Sequence, residues 1–146
     1  MSSETAEYWN PLVPELSVSN LEMSLRFYLA MGFSIRFRRK EPPFAYLELG
    51  QAQIMLEQIH EEAWITSDLD RPFGRGINFQ IEVKNALIMA NQAKDLSIPL
   101  FLPIRETWYA VSPNKREGQI EFLVQDPDGY LLRFSQSLGT RIADAY

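Results

Sequence analysis

Apolar and polar residues alternate along short runs of this chain, and two longer stretches carry apolar residues at helical spacing. Val13–Ser19 (VPELSVS) reads as a strand, stiffened by Pro11 and Pro14 and suited to a sheet edge. Leu21–Met31 places Leu21, Leu25, Tyr28 and Leu29 on one helical face, with Ser19 or Asn20 as N-cap and Gly32 as the stop. Phe33–Arg39, Phe44–Leu49 and Gln53–Gln58 then alternate as three strands. After a polar connector the order returns. Ile77–Val83 is a strand, and Asn85–Leu96 is a helix with Leu87, Ile88, Ala90, Ala93 and Leu96 as inner positions. Pro99–Ile104 is extended, and Glu106–Val111 either continues it or forms a loop. Gln119–Gln136 closes the chain as a hairpin whose turn, Asp126-Pro127-Asp128-Gly129, combines a fixed φ with a left-handed position.

The pattern is therefore β-α-β-β-β twice. Laying Val13–Asn20 over Asn78–Asn85 puts Leu16 on Ile81, Val18 on Val83, and helix-opening Asn20 on Asn85. Laying IMLEQ over LLRF puts Leu56 on Leu132 and Glu57 on Arg133. Two such units related by a pseudo-twofold predict an α+β fold in which a curled mixed sheet forms a cup. Val13, Glu57, Asn78 and Arg133 are then its equivalent inward positions. The units run over about 11–58 and 76–138, joined by a connector at 59–75 within a single domain 11–146. Residues 1–10 form an N-terminal arm with Tyr8 and Trp9 to bury, and 139–146 form a tail.

Composition narrows the function. The 146 residues are 46% hydrophobic, enough for one core, and contain no cysteine, so disulfides, thiolate nucleophiles and Cys-based metal sites are excluded. A net charge of −5 disfavours nucleic acid and anionic membranes as partners and tilts a small ligand toward cationic character. No run is long enough to span a bilayer, and the N-terminus has no signal-peptide pattern, so the expected location is cytoplasmic. No GxSxG, P-loop or dinucleotide fingerprint occurs.

The combination of SLRFYLAMGF, the FAYLELGQAQIMLEQ hairpin, GINFQIEV and FLVQDPDGYLLRF resembles the vicinal oxygen chelate superfamily, which includes glyoxalase I, extradiol dioxygenases and bleomycin-resistance proteins. The resemblance covers about Leu12 to Leu138. It implies that the four equivalent strand positions are those where metalloenzymes of the superfamily hold a divalent ion. Here they are Val13, Glu57, Asn78 and Arg133, and only Glu57 is a proper ligand, since valine has no lone pair, an amide is weak and arginine is permanently cationic. The single histidine, His60, cannot complete a two-histidine site. The expectation is no metal and no cofactor.

The branch with this vacancy is the bleomycin-resistance type, whose VP opening and MLE ending this chain shares. The resemblance implies a homodimer that sequesters a bleomycin-like or other aromatic, cationic compound in a cleft without chemistry. Phe37, Tyr46, Trp64, Trp108 and Tyr109 are the candidate aromatic walls, and Glu48, Glu57 and Arg133 the candidate polar groups. Equivalence of the halves further predicts an ion pair between Glu57 and Arg133. The alternative is an enzyme of the same fold, with or without a divalent metal, in which Glu57 is a general base and Arg133 steadies an anion.

Overall fold

Two asparagines open the two helices in the same way, and a glutamine from a later strand completes each start. The Asn20 side chain accepts the Met23 amide at the head of α1 (Leu21–Ala30), and Asn85 accepts the Ile88 amide at the head of α2 (Ala86–Asp95). The next orphan amides, Leu21 N and Ala86 N, donate to the side-chain carbonyls of Gln58 and Gln136 at 2.9 and 3.0 Å. Helix ends need such acceptors because their first amides have no intrahelical partner. Gly32, at φ 99°, ends α1 in the left-handed conformation that its position requires.

The computed structural model describes residues 8–142. The remaining elements are β1 (Glu15–Val18), β2 (Ser34–Arg39), β3 (Phe44–Leu49), β4 (Ala52–Gln58), β5 (Asn78–Glu82), β6 (Leu100–Ser112), β7 (Lys115–Gln125) and β8 (Leu131–Ile142). They form two four-stranded mixed sheets, ordered β1-β4-β3-β2 and β5-β8-β7-β6. In each, the strand before the helix pairs in parallel with the last strand of the unit, and the other pairings are antiparallel. The two βαβββ units therefore stand as the periodicity predicts. No described helix is long and apolar enough to cross a membrane.

Period-two alternation gives each sheet a helix-side face and an open face. Leu16, Val18, Ala45, Leu47, Ile54 and Leu56 of the first sheet and Ile81, Phe122, Val124, Leu132 and Phe134 of the second belong to one buried core with Leu21, Leu25, Tyr28 and Phe33. The halves thus share their interior. The turn between β7 and β8 locks them together: Asp128 reaches Ser19, the Tyr28 hydroxyl donates to Asp126 Oδ2 at 2.7 Å, and the Tyr130 hydroxyl donates to the Ser17 carbonyl at 2.8 Å. Asp126 Oδ1 also accepts the amides of Asp128 and Tyr130. Burial still pushes this carboxyl above its ordinary value, against the Tyr28 hydrogen bond that lowers it. Gly129 (φ 100°) lies against Pro72, where a Cβ would come within 2.5 Å of the ring.

Several expectations need correction. On α2 the inner face is Ala86, Ala90 and Ala93, while Leu87, Ile88 and Leu96 are about half exposed. On α1, Ser24 is buried and Leu29 is turned outward. Glu106–Val111 is strand throughout, inside β6. Residues 139–142 are not a tail but the end of β8, paired to β7; residues 143–146 of the expected tail, and 1–7 of the expected arm, lie outside the described residues.

The alignment of the last strands is also displaced. Leu56 pairs with Leu16 in the first unit, and Phe134 with Ile81 in the second, so Phe134, not Leu132, is the counterpart of Leu56. The matched roles of Gln58 and Gln136 give the same register. Glu57 is therefore equivalent to Ser135, and Arg133 to Met55. The slip is one pleat, which leaves every side chain on its correct face and is invisible to alternation.

Candidate functional site

The edge strands β1 and β5 face each other across a seam roofed by the connector. A cavity of about 480 Å³ lies there, lined by Pro14, Glu15, Leu16 and Ser17 of the first half, Ile77, Phe79 and Tyr130 of the second, and Trp64, Ile65, Thr66, Leu69 and Gly74 between them. Trp64 is 94% exposed, a large flat ring held at the rim with almost none of its surface covered. Gly74 stands where a Cβ would meet the Tyr130 ring at 2.5 Å, so the connector can approach that closely only with glycine there. The walls are mostly apolar, and the carboxylate among them is Glu15. Its carboxyl is held above the ordinary value by partial burial first and by the like charge of Glu57 second, against Arg39 and His60.

The open face of the first sheet carries the expected Phe37, Tyr46 and Glu48. Phe37 stacks on Tyr46 with centroids 5.4 Å apart, helped by an irregularity in β2 that brings Phe37 opposite Tyr46. This surface is already covered by the arm. Trp9 stands edge-on to Tyr46 at 5.0 Å, the Asn10 amide and the Tyr46 hydroxyl both donate to Gln53 Oε1, and the Gln53 amide donates to the Tyr8 carbonyl. Arg36 lies over the Trp9 ring at 4.3 Å and pairs with Glu48 at 3.0 Å. Phe37 and Tyr46 thus pack against the chain's own arm, and the Glu48 carboxylate is engaged by Arg36.

Glu57 and Arg133 do not pair. Among the described residues Glu57 contacts His60 at 3.2 Å, whereas Arg133 lies 3.9 Å from Glu121 and donates to Gln80. The expected pair rested on the register that the structure displaces. Val13 precedes β1 rather than belonging to it, and Asn78 is an exposed first residue of β5. A divalent ion does not fit these positions: in the corrected register the second half offers the hydroxyl of Ser135 where Glu57 stands in the first, and among the described residues no three His, Asp or Glu side chains gather closely enough to hold one.

Trp108 and Tyr109 are neighbours in sequence but sit on opposite faces of β6. Trp108 packs over Gly118, where a Cβ would lie 2.5 Å from the ring, and beneath Arg141, whose guanidinium is 3.9 Å from the ring centroid. Tyr109 faces the open side, and its hydroxyl donates to Glu121. Glu121 is fully buried beside Arg105 and Arg133. The alternation marked Glu121 only as polar and gave no sign of its burial.

Similarity to solved structures supports the architecture. A glyoxalase/bleomycin resistance protein/dioxygenase from Alicyclobacillus acidocaldarius is 16% identical, with a TM-score of 0.59 over 88% of this chain and 92% of that one. The chain has the vicinal oxygen chelate fold. The same fold is seen in an integron cassette protein from the mobile metagenome of V. cholerae, 18% identical with a TM-score of 0.65 over 89% of this chain and 96% of that one. A virulence protein from Salmonella typhimurium is 21% identical, with a TM-score of 0.63 over 89% of this chain and 98% of that one. No protein-family profile and no curated protein sequence matches the chain.

Proposed function

We propose that this vicinal oxygen chelate protein binds a small aromatic, cationic molecule in the seam cavity and sequesters it without a metal and without chemistry. The observation that carries the reading is the cavity's composition: Trp64, Phe79 and Tyr130 offer ring surfaces, and Glu15 offers a carboxylate at the rim. Covering a ring system of roughly 200 Å² at about 25 cal/mol per Å² yields about 5 kcal/mol gross. A cation over an exposed ring adds about 0.5–1 kcal/mol. After the cost of association, a single small ring system would bind in about the millimolar to micromolar range. Larger compounds of the bleomycin type would gain by covering more of Trp64.

The enzymatic alternative has less support, because the groups it required are engaged elsewhere, Glu57 by His60 and Arg133 by Glu121. A homodimer remains part of the proposal. The half-exposed Leu87 and Ile88 on the outer face of α2 favour a second copy, whereas residues 8–10 of the arm fold back on their own sheet. Light scattering at micromolar concentration tests it, and a monomer would exclude it. The ligand reading is tested by tryptophan-fluorescence titration with proflavine, a planar cationic dye, and with metal-free bleomycin. Saturation at one per chain is expected, and its loss in Trp64→Ala would assign binding to the seam.

A further inference from the structure

The β7–β8 turn ties the halves together at one place, and the pseudo-twofold carries that place to a second one. Gln58 and Gln136 hold matching roles, so Gly50, Gln51 and Ala52 stand where the second unit has Asp128, Gly129 and Tyr130. Asn20 and Asn85 match in the same way, which puts Glu82, Val83 and Lys84 on Ser17, Val18 and Ser19. In the clasp itself these positions touch: Asp128 accepts the Ser19 amide and hydroxyl, and the Tyr130 hydroxyl donates to the Ser17 carbonyl. At the second place they stand apart. A cavity of about 620 Å³ is lined by Gly50, Gln51, Ala52, Glu82, Val83 and Lys84, with β8 alongside.

The side chains lost between the two places define what would fit the second. Glycine replaces Asp128, and a Cβ added at Gly50 would meet nothing within 4 Å. Alanine replaces Tyr130, so the ring is gone as well as the carboxylate. The groups that receive them are kept in kind. Lys84 takes the position of Ser19, and among the described residues its ammonium forms no ion pair, so a carboxylate would meet a full charge where Asp128 meets a hydroxyl. The Glu82 carbonyl stands at the position where the Ser17 carbonyl accepts a phenol. Ala52 and Val83 pack against the core and give the ring an apolar wall. The Glu82 carboxylate also lines the cavity, so a second negative charge on the occupant would be repelled.

We infer that this cavity binds a small aromatic monocarboxylic acid with a phenolic hydroxyl, the carboxylate meeting Lys84 and the phenol donating to the Glu82 carbonyl. The cavity shares no lining residue with the one at the seam, so its occupancy does not depend on what the seam binds.

Calorimetry on the full chain, with 4-hydroxyphenylacetate as probe and phenylacetate as its counterpart lacking the hydroxyl, tests this assignment. The probe is expected to saturate one site per chain in about the millimolar to micromolar range, with phenylacetate at least about threefold weaker. Lys84→Gln alters an exposed side chain, so the fold should persist while the probe weakens by at least about tenfold. Ala52→Tyr gives the first unit the ring that Tyr130 supplies in the second, and should abolish binding by filling the cavity. Saturating proflavine should leave the probe's affinity unchanged, which separates this cavity from the seam. No saturation up to about 10 mM, equal affinity for the two acids, competition by proflavine, or a Lys84→Gln variant that binds as the wild type does would each overturn the assignment. So would a folded Ala52→Tyr variant that still binds. If Ala52→Tyr fails to fold, the Lys84→Gln and phenylacetate comparisons still decide it.

Discussion

Ser19 and Asp128, 109 positions apart, are joined twice: the Ser19 amide donates to Asp128 Oδ2 at 2.9 Å and the Ser19 hydroxyl to Oδ1 at 2.6 Å. Asp128 is buried in the β7–β8 turn, and Ser19 sits where β1 passes into α1. The same carboxylate lies 3.0 Å from Arg71 of the connector, whose guanidinium also reaches the Pro127 carbonyl. First half, second half and connector therefore meet at one side chain, beside the seam they enclose.

Asp128→Ala removes that junction and is expected to destabilise the chain by about 2–4 kcal/mol, against about 1 kcal/mol for Ser19→Ala. Because both act on the same bonds, the double variant should cost little more than Asp128→Ala alone. Urea unfolding of the three variants measures the cycle; full additivity would mean that the two side chains stabilise the fold independently.

The repeated helix start gives a paired test of the corrected register. Gln58→Ala and Gln136→Ala each strip the acceptor from a first helical amide, and each should cost about 0.5–1.5 kcal/mol. If Gln136→Ala were neutral while Gln58→Ala was costly, the two glutamines would not be structural counterparts.

Much of this architecture was legible in the chain. The DPDG turn, the asparagine caps and the two runs of alternating strands specify two βαβββ units, because caps and turns are local chemistry. The pairing of Glu57 with Arg133 was not. A slip of two residues keeps Leu132 and Leu56 both in the core, so periodicity offers no penalty against it; only the capping glutamines, a contact between distant segments, fix the register. Nor does alternation distinguish an open face that meets water from one that is covered. For that reason Trp9 on the first sheet, and Glu121 on the second, were not anticipated as parts of those faces.

Gly118 supports the tryptophan on the helix side of the second sheet. Gly118→Ala places a methyl within 2.5 Å of the Trp108 ring carbons, so the ring must leave its place beneath Arg141. The expected result is a shift in Trp108 emission with a loss of about 1–3 kcal/mol. An unchanged spectrum against a Trp108→Phe control would contradict the packing.

Binding at the seam should depend on pH through Glu15. Partial burial and Glu57 raise its carboxyl above the ordinary value of 4.5, so it takes up a proton earlier, as pH falls, than a free carboxylate does. The ionised form attracts a cation and the protonated form does not. Proflavine affinity should therefore hold at neutral pH and decline as pH falls through the raised range. In Glu15→Gln it should be weaker at neutral pH and lack that component of the decline. Identical pH profiles for wild type and variant would remove Glu15 from the site.

Metal-free capture of an aromatic cation at the seam is tested by a proflavine titration of the full chain in excess chelator, followed by tryptophan emission. The proposal predicts saturation at one dye per chain in chelator, unchanged by added zinc or manganese, and a loss of at least about tenfold in affinity in Trp64→Ala. Because Trp64 is 94% exposed, that variant should keep its stability, so lost binding reports the site and not the fold. Binding that appears only when a divalent metal is added, or that is indifferent to Trp64, would contradict it.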